Sequence, residues 1–509
     1  MAVVAAMPLL LAACATRPPQ VLTPKIVPKA LAGPVAGASP DWPRLLWWQG
    51  FGSPELSRLV ALARHDNRDL AAAVARLKEA RADVVIQRAA LFPQVNAQFQ
   101  GDRTGVRAAA LSTSVAGQRG ATVDSFGLFA NSTYELDVWG LARDNLRAAE
   151  ESLQASRFAR QAVALTTIGE VADTYLDILA LRERIGIANE DIAAVRGILD
   201  IVRLKVRAGT SSDLDLAEEE AQLQASRSEL PVLIEQELEA RVALAVLVGR
   251  PPEGFRVAGK TMHGIQLPEV TPGLPSELLA RRPDVAEAEA QLAAAHANLQ
   301  AARAAFLPQF SLSGSAGFSS VALQALLHGP SFLWDAGGEL VQTIFDGGKL
   351  IGEERLAYAT QLELIADYQN AVLNAYSDVE SALGQVRNDG YEEADLRSEV
   401  AAAREAFQIS ELQYREGTAD LLNVLQAQQT LFGARDTLAQ VRLARMQAVV
   451  HLYEALGGGW REPQSARTQL ETCAGSQCRA ARVQNPQRCP RSQRRACSEH
   501  RVLVSKTPS

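Results

Sequence analysis

The chain has 509 residues, of which 47% are hydrophobic and 21% charged, and its formal net charge is −7. This length is enough for a large core or several domains, and the mildly acidic balance argues against a nucleic-acid partner. The charge is unevenly spread, because residues 461–509 contain nine Arg and one Lys against three acidic residues, which leaves −14 for residues 1–460. No run of ~18 apolar residues occurs, so no membrane-spanning helix is predicted after the N-terminus.

The five cysteines lie at the two ends of the chain. Cys14 is alone near the start, and the other four lie in residues 461–509. Residues 15–472 therefore cannot form a disulfide or bind a metal through sulfur. Residues 461–509 are predicted to be a disordered basic tail, since their cysteines lack the spacing of a zinc site.

The first fourteen residues form a short apolar segment that ends in Leu11-Ala12-Ala13-Cys14. Small residues before a Cys resemble a bacterial lipoprotein signal, whose cleavage would leave Cys14 as a lipid-modified N-terminus. The alternative is a plain secretory signal with an incidental Cys, and no Lys or Arg precedes Cys14 as one usually would. Ala15 stands where an Asp would favour retention in the inner membrane, so the signal favours the outer membrane.

Residues 15–52 are rich in Pro, Gly and Ala and are predicted to be an extended tether. Its tryptophans, which include Trp47 and Trp48, either dock the tether on the surface or belong to the core. A repeat unit is predicted to follow over residues 53–250. It begins with Ser53-Pro54-Glu55, an N-cap followed by Pro in the first helical turn.

Helices come first in this unit, and strands follow. Asp69 is expected to open a second helix, which ends before Pro93. Residues 94–102 and 123–137 then alternate apolar and polar side chains, which predicts two strands that each have one apolar face. Each strand is about long enough to cross a bilayer at a tilt.

A long helical hairpin is predicted to complete the unit. Residues 141–208 contain no proline and would form a helix ~100 Å long. Its apolar residues step by four and three, as in a coiled coil: Ala164, Ile168, Val171, Tyr175 and Ile178. Gly209 supplies the turn. A return helix is expected over residues 213–248, and Pro231 is expected to kink or divide it.

The unit is repeated after a Gly- and Pro-rich linker at residues 251–275. Residues 69–95 match residues 284–310 at an offset of 215, with twelve identities in 27 positions. The two hairpin tips, VRAGTSSDLDLAEEEAQL and YREGTADLLNVLQAQQTL, match at an offset of 208. Residues 276–460 are therefore predicted to be a second copy, and the chain a tandem duplication.

Each element of the first copy has a predicted counterpart in the second. A short helix is expected to begin at Ser276-Glu277, and Arg282-Pro283-Asp284 is expected to open a longer one. Alternating residues 310–318 predict one strand, and the next strand is expected to end at Ile344-Phe345-Asp346-Gly347-Gly348. Three further elements complete the copy: a helix over residues 349–416, a turn at Gly417 and a helix to Leu456.

These elements predict a mainly α fold with a membrane β-barrel portion. Four amphipathic strands cannot close a barrel in lipid, where the unpaired backbone groups of an open sheet edge have no water to bond. A single chain therefore needs partners, and three copies would supply about twelve strands. The predicted fold is a trimer, in which the tandem-duplicated long α-helical hairpins form an α-barrel and the four β-strands of each chain form a 12-stranded barrel.

Ordered motifs between residues 40 and 460 resemble those of the outer membrane efflux protein (TolC-like) family. They are Arg281-Arg282-Pro283-Asp284-Val285, Phe306-Leu307-Pro308-Gln309, Ile344-Phe345-Asp346-Gly347-Gly348, Tyr414 with Gly417-Thr418, and Tyr453-Glu454-Ala455-Leu456-Gly457-Gly458-Gly459-Trp460. The segment before Cys14 and the Gly-Gly-Gly-Trp end resemble its OprM/NodT lipoprotein branch. The resemblance implies an outer membrane channel that is the exit duct of a tripartite efflux pump, passively conducting drugs or other small molecules.

The resemblance also implies partners and a location. A homotrimer would join a periplasmic adaptor (a membrane fusion protein) and an inner-membrane transporter of the resistance-nodulation-division (RND) type, which supplies the energy. The channel would be lipid-anchored in the outer membrane of a Gram-negative bacterium, in contact with outer membrane lipid, and would extend into the periplasm. The alternative function is the exit duct of a type I protein secretion system. A periplasmic adaptor fits less well, because it should have one hairpin rather than two.

By the same resemblance, the hairpin tips are the candidate gate. The candidate gate residues are Gly209, Asp215, Glu218, Tyr414, Gly417, Asn423 and Gln426. Asp215 would match an acidic partner in the family's closing network, and Tyr414 the tyrosine that reaches it. Ala419 stands where some members have an arginine, so one link of that network is absent.

Asn423 and Gln426 stand where some members have the aspartates of a constriction ring. Rings of carboxylates raise cation selectivity, so these uncharged amides would weaken it. Glu218, the first-copy counterpart of Gln426, would supply a carboxylate instead.

Acidic residues in the first turn of a helix also stabilise its N-terminus, by about 0.3–1 kcal/mol each. Asp213, Glu219 and Glu220 are expected to have this capping role on a solvated face. For Asp215 capping is an equal alternative to a gate role, as helix packing is for Tyr414.

No catalytic site, cofactor or metal site is predicted. The six His residues are scattered without paired-ligand spacing, and the chain has neither a phosphate-binding loop nor a nucleophile elbow. Energy for transport would therefore come from a partner.

Overall fold

The computed structural model describes residues 45–106, 121–268 and 281–459. The predicted signal segment with Cys14, most of the predicted tether, the short helix expected at Ser276-Glu277 and the predicted tail lie outside these ranges. In chain order the elements are α1 (Pro54–Asp66), α2 (Arg68–Ala89), β1 (Gln94–Val106), β2 (Ala121–Leu136), α3 (Leu141–Arg207), α4 (Asp213–Leu247), α5 (Pro283–Ala304), β3 (Gln309–Ser320), β4 (Phe332–Val341), α6 (Lys349–Glu416) and α7 (Leu421–Ala455).

Local signals in the sequence set where the first helices begin. The hydroxyl of Ser53 caps α1 by accepting a hydrogen bond from the backbone N–H three residues later, at 3.1 Å. Asn67 caps α2 in the same way, at 2.9 Å. The second helix therefore begins at Arg68, one residue before the predicted start at Asp69.

The four strands form one antiparallel sheet in the order β1-β2-β3-β4. Gln94 lies opposite Thr133 in the first pair, and Gln309 lies opposite Val341 in the last. The central pair, β2 with β3, joins the two copies of the repeat. The sheet is therefore continuous across the linker, and the two copies share it.

The last strand ends earlier than predicted. β4 ends at Val341, so the strand end expected at residues 344–348 is wrong. The carboxylate of Asp346 instead accepts hydrogen bonds from the N–H groups of Gly348 and Leu350, at 2.9 and 2.8 Å. These bonds begin α6. The ladder ends at Val341 because the residue opposite it, Gln309, is the first residue of β3.

Two helices of nearly seventy residues dominate the molecule. α3 has 67 residues and α6 has 68, so each extends ~100 Å. Each turns back at a tip into a helix of 35 residues, α4 or α7. α4 continues through Pro231, so of the two effects predicted for this proline, a kink or a division, the division is wrong. Its ring removes a single backbone N–H, and the buried residues Ser226 and Leu233 anchor the helix on either side.

α3 lies at the centre of the helical packing. It contacts α1, α2, α4, α5 and α7, whereas α6 contacts α5 and α7. The long hairpins are therefore arranged in the order α4-α3-α7-α6. The predicted coiled-coil positions Ile168, Val171, Tyr175 and Ile178 are buried on α3. Within the described ranges, none of the helices combines the length and the apolar character that a membrane span requires.

The largest core cluster packs the end of the predicted tether against α1, α3 and α7. Trp47 and Trp48 are both buried there, which confirms the core alternative for these two residues. The ring of Trp47 stacks on that of Tyr453, with centroids 4.9 Å apart. This cluster fixes the base of the hairpins, and their tips lie at the far ends of α3 and α6.

Candidate gate at the hairpin tips

Both tips are tight turns that end a long helix. Gly209 has φ of +72°, a left-handed conformation that favours glycine, and Gly417 has φ of +78°. After the first glycine, the N–H and the hydroxyl of Thr210 both bond the carbonyl of Lys205, at 2.9 and 3.1 Å. Thr418, which follows Gly417, forms the equivalent two bonds in the second copy. The two turns are therefore equivalent, as their sequences predict.

The helices that leave the two turns begin differently. At the start of α4, Ser212 and Asp215 form a capping box: the Asp215 N–H bonds the Ser212 hydroxyl at 3.2 Å, and the Asp215 carboxylate accepts the Ser212 N–H at 2.9 Å. At the start of α7, Asp420 occupies the N-cap position without a side-chain capping bond. Asp215 therefore has the capping role that the sequence offered as one alternative.

Asp215 is also linked to the second hairpin, through Ser211. The Ser211 hydroxyl donates a hydrogen bond to the Asp215 carboxylate at 2.5 Å and lies 3.3 Å from the Tyr414 hydroxyl. Tyr414 thus reaches Asp215 by way of a serine. Sequence reasoning missed this residue, although at the offset of 208 Ser211 is the first-copy counterpart of Ala419.

The charges of this network are set by its hydrogen bonds. Those from the Ser211 hydroxyl and the Ser212 N–H hold the pKa of Asp215 below its usual value, so the carboxylate is ionised at neutral pH. Burial raises the pKa of Tyr414, which keeps its phenol protonated. Lys205 was also missed: its ammonium group bonds the Tyr414 carbonyl and lies 4.2 Å from the centre of its ring.

The other candidate gate residues lie apart from this network. Glu218, Asn423 and Gln426 all have exposed side chains. Glu218 is one helical turn beyond the capping box on α4, and the other two lie in the first two turns of α7. Their arrangement around a pore depends on neighbouring copies of the chain.

One acidic residue near the tip contradicts its expected role. Glu219 was predicted to cap a solvated helix face, but it is fully buried, as is Gln428 of α7. Glu220, next to it, is exposed and bonds Arg203 at 3.0 Å. The prediction for Glu219 is wrong because an acidic run does not reveal which of its side chains turns toward the second hairpin.

The described residues contain no arrangement suited to a metal ion. No three side chains among their His, Cys, Asp and Glu residues converge as metal ligands would. The chemistry of the tips is therefore that of hydrogen bonds and ion pairs between helices.

Comparison with known proteins identifies the family. A family model described as "Outer membrane efflux protein" matches residues 59–250 and 274–458, which is more than half of the chain. The chain belongs to the outer membrane efflux protein family. This efflux protein is 39% identical to the "Pyoverdine export outer membrane protein OpmQ" of Pseudomonas aeruginosa, over 89% of its own length and 95% of the relative's.

Further relatives and solved structures have the same architecture. The efflux protein is 32% identical to the "Outer membrane protein OprJ" of Pseudomonas aeruginosa, over 82% of its own length and 87% of the relative's. Its structure superimposes on that of the outer-membrane channel OprN with a TM-score of 0.78 and 28% identity, covering 87% of this chain and 98% of that one. The predicted family and fold class are confirmed. The efflux protein is an outer membrane channel and not an enzyme.

Proposed function

We propose that this efflux protein is the exit duct of a tripartite efflux pump. It works as a homotrimer, held in the outer membrane by lipid on Cys14, and joins a periplasmic adaptor and an inner-membrane RND transporter. One observation carries the proposal: a four-stranded sheet and two long hairpins occur in a chain that matches nearly the full length of a relative named for export.

Small molecules are the proposed substrates. Relatives of this chain are named for pyoverdine export and for toluene efflux. The chain belongs to a family of efflux channels, and the proposed duct conducts its substrate without changing it. The energy comes from the inner-membrane transporter.

The free surfaces of the chain support a trimer. Both edge strands, β1 and β4, have an unpaired edge within the described ranges, and such an edge is not stable in lipid. The outer helix α4 has exposed apolar side chains, which include Leu214, Val232, Ile234, Leu238 and Val246. A neighbouring copy on each side would cover these surfaces.

The tips are the proposed gate. Tyr414 and Asp215 belong to different hairpins, and Ser211 joins them. Separation of the hairpins at the tips breaks this link and opens the duct. Glu218, Asn423 and Gln426 then line the opening, where one carboxylate per chain gives a weak preference for cations.

Conductance across planar bilayers tests the gate. Tyr414→Phe removes the hydroxyl that meets Ser211, a bond worth about 1 kcal/mol, so the open fraction should rise roughly fivefold. Tyr391→Phe, on an exposed face of α6, is the matched control and should behave as the wild type. Equal conductance in all three proteins would exclude this gate. Retention of substrate in a host lacking the gene, relieved by the wild-type chain, tests the export function itself.

A further inference from the structure

A buried polar pair joins the two hairpins one helical turn beyond the capping box. Glu219 of α4 and Gln428 of α7 are both 0% exposed. All four of their polar side-chain atoms lack a hydrogen-bond partner of normal geometry among the described residues. The amide of Gln428 nevertheless lies near enough to lower the pKa of Glu219, against the larger effect of burial. The two side chains therefore face each other in a dry contact between hairpins.

This contact suits a neutral acid and does not suit a carboxylate. Burial raises the pKa of Glu219 to about 7. A protonated Glu219 can donate its O–H to the amide oxygen of Gln428 and accept an N–H in return, so each group satisfies the other. An ionised Glu219 would keep only the N–H of the Gln428 amide as a partner, and the rest of its buried charge would be uncompensated, which is costly.

No cation compensates Glu219 from the surrounding elements. Tyr414 of α6 is close enough to be affected by the charge of Glu219, and α7 contributes the neutral Gln428. The cations on this part of α3 are Arg203 and Lys205, and the neighbouring acids on α4 are Asp215 and Glu220. Arg203 is bonded to Glu220, and Lys205 to Tyr414. Both cations are therefore engaged elsewhere, and no ion pair to Glu219 exists within the described residues.

We propose that Glu219 and Gln428 form a proton-operated latch, in which the protonated pair holds the two hairpins together and loss of the proton to water favours their separation. The latch rests on the proposed function of the tips as a gate. Its contact differs from the Tyr414–Ser211–Asp215 link in two ways. Water does not reach its polar groups, and in the protonated state it carries no charge.

Linkage between protonation and opening sets the expected size of the effect. The ordinary pKa of Glu219 is 4.5, and the closed arrangement raises it to about 7. If the separated residue regains its ordinary pKa, the opening equilibrium increases roughly tenfold per subunit from pH 6 to pH 8. Glu219→Gln keeps the pair neutral at every pH and should remove this increase. Glu235→Gln, at an exposed position further along α4, should retain it.

Two measurements on the full-length protein test the latch. The first is single-channel conductance at pH 6 and pH 8 for the wild type and both variants. The second is amide hydrogen exchange at the start of α4, corrected for the intrinsic effect of pH. Faster exchange and more opening at pH 8 in the wild type and Glu235→Gln, but not in Glu219→Gln, would support the latch.

The outcomes separate the latch from the channel function. Channels that conduct equally at pH 6 and pH 8, with equal corrected exchange, would overturn the latch and leave the gate proposal standing. A Glu219→Gln variant that keeps the wild-type response would also overturn it. Absence of current in every protein would overturn the channel proposal, and the exchange measurement would then decide the latch by itself.

Discussion

Replacement of Glu393 by glutamine is expected to loosen the middle of the hairpins. Glu393 lies on α6, is 5% exposed, and accepts hydrogen bonds from Arg397 and Arg445, the latter at 2.7 Å. Arg442 of α7 lies 3.6 Å from the same carboxylate and also bonds Glu183 of α3 at 3.0 Å. One carboxylate therefore compensates three guanidinium groups on α6 and α7, and Arg442 extends the network to α3.

The structure sets the size of the expected loss. Removal of one partner of a buried ion pair costs about 3–5 kcal/mol, because the remaining charge stays buried without compensation. Here Arg397 is exposed to solvent and Arg442 keeps its bond to Glu183, so Arg445 loses most. We therefore expect Glu393→Gln to lower the free energy of unfolding by about 3 kcal/mol, the lower end of that range.

Urea unfolding of the detergent-solubilised protein at pH 7, followed by helical circular dichroism, measures this loss. The matched control is Glu392→Gln at the exposed neighbouring position, which should change the free energy of unfolding by less than about 0.5 kcal/mol. A loss below about 1 kcal/mol for Glu393→Gln would place the network among ordinary surface ion pairs and refute the reasoning.

Two further predictions concern stability, one about glycines and one about pH. Gly417→Ala should destabilise the protein by about 1–2 kcal/mol because its φ is +78°, whereas Gly433→Ala, in open space within α7, should stabilise it by up to ~1 kcal/mol. Urea midpoints that shift in the same direction would contradict this. Burial and the Asp173 carboxylate raise the pKa of Glu454 from 4.5 to about 8. Wild-type stability should therefore fall as the pH rises between these values, by at most roughly 5 kcal/mol. Thermal melting of Glu454→Gln should lack most of this slope, and an unchanged slope would exclude the assignment.

The long helices could be predicted from the sequence because their limits are local. The helix predicted over residues 349–416 has those limits in the structure. Gly348 and Gly417, both at positive φ, bound it, and no proline lies between them. Such signals act within one turn of the chain, so the order of residues is enough to place them.

The contacts between hairpins could not be predicted in the same way. The acidic run at the start of α4 has no periodicity that separates Glu219, which is buried, from Glu218 and Glu220, which are exposed. The direction of each side chain depends on how α4 is rotated against α3 and α7, and that follows from packing far along the hairpins. Ser211 was missed for the same reason, since its role depends on a tyrosine in the other copy.

The pairing of β2 with β3 predicts how the edge strands of neighbouring chains pair in the proposed trimer. The β1–β2 pair of the first copy and the β3–β4 pair of the second have the same register. Adding 215 to a residue number in β1 gives the equivalent residue of β3, and adding 208 to one in β2 gives that of β4. Phe126 lies opposite Ser320 in the pair that joins the copies. If β4 of one chain pairs with β1 of the next in the register of the β2–β3 pair, Trp334 of the first chain lies opposite Gly105 of the second, an aromatic ring over a glycine. A threefold barrel would then contain six nearly identical junctions between repeat copies, three within chains and three between chains. A ring of six half-length ancestral chains would contain the same six junctions.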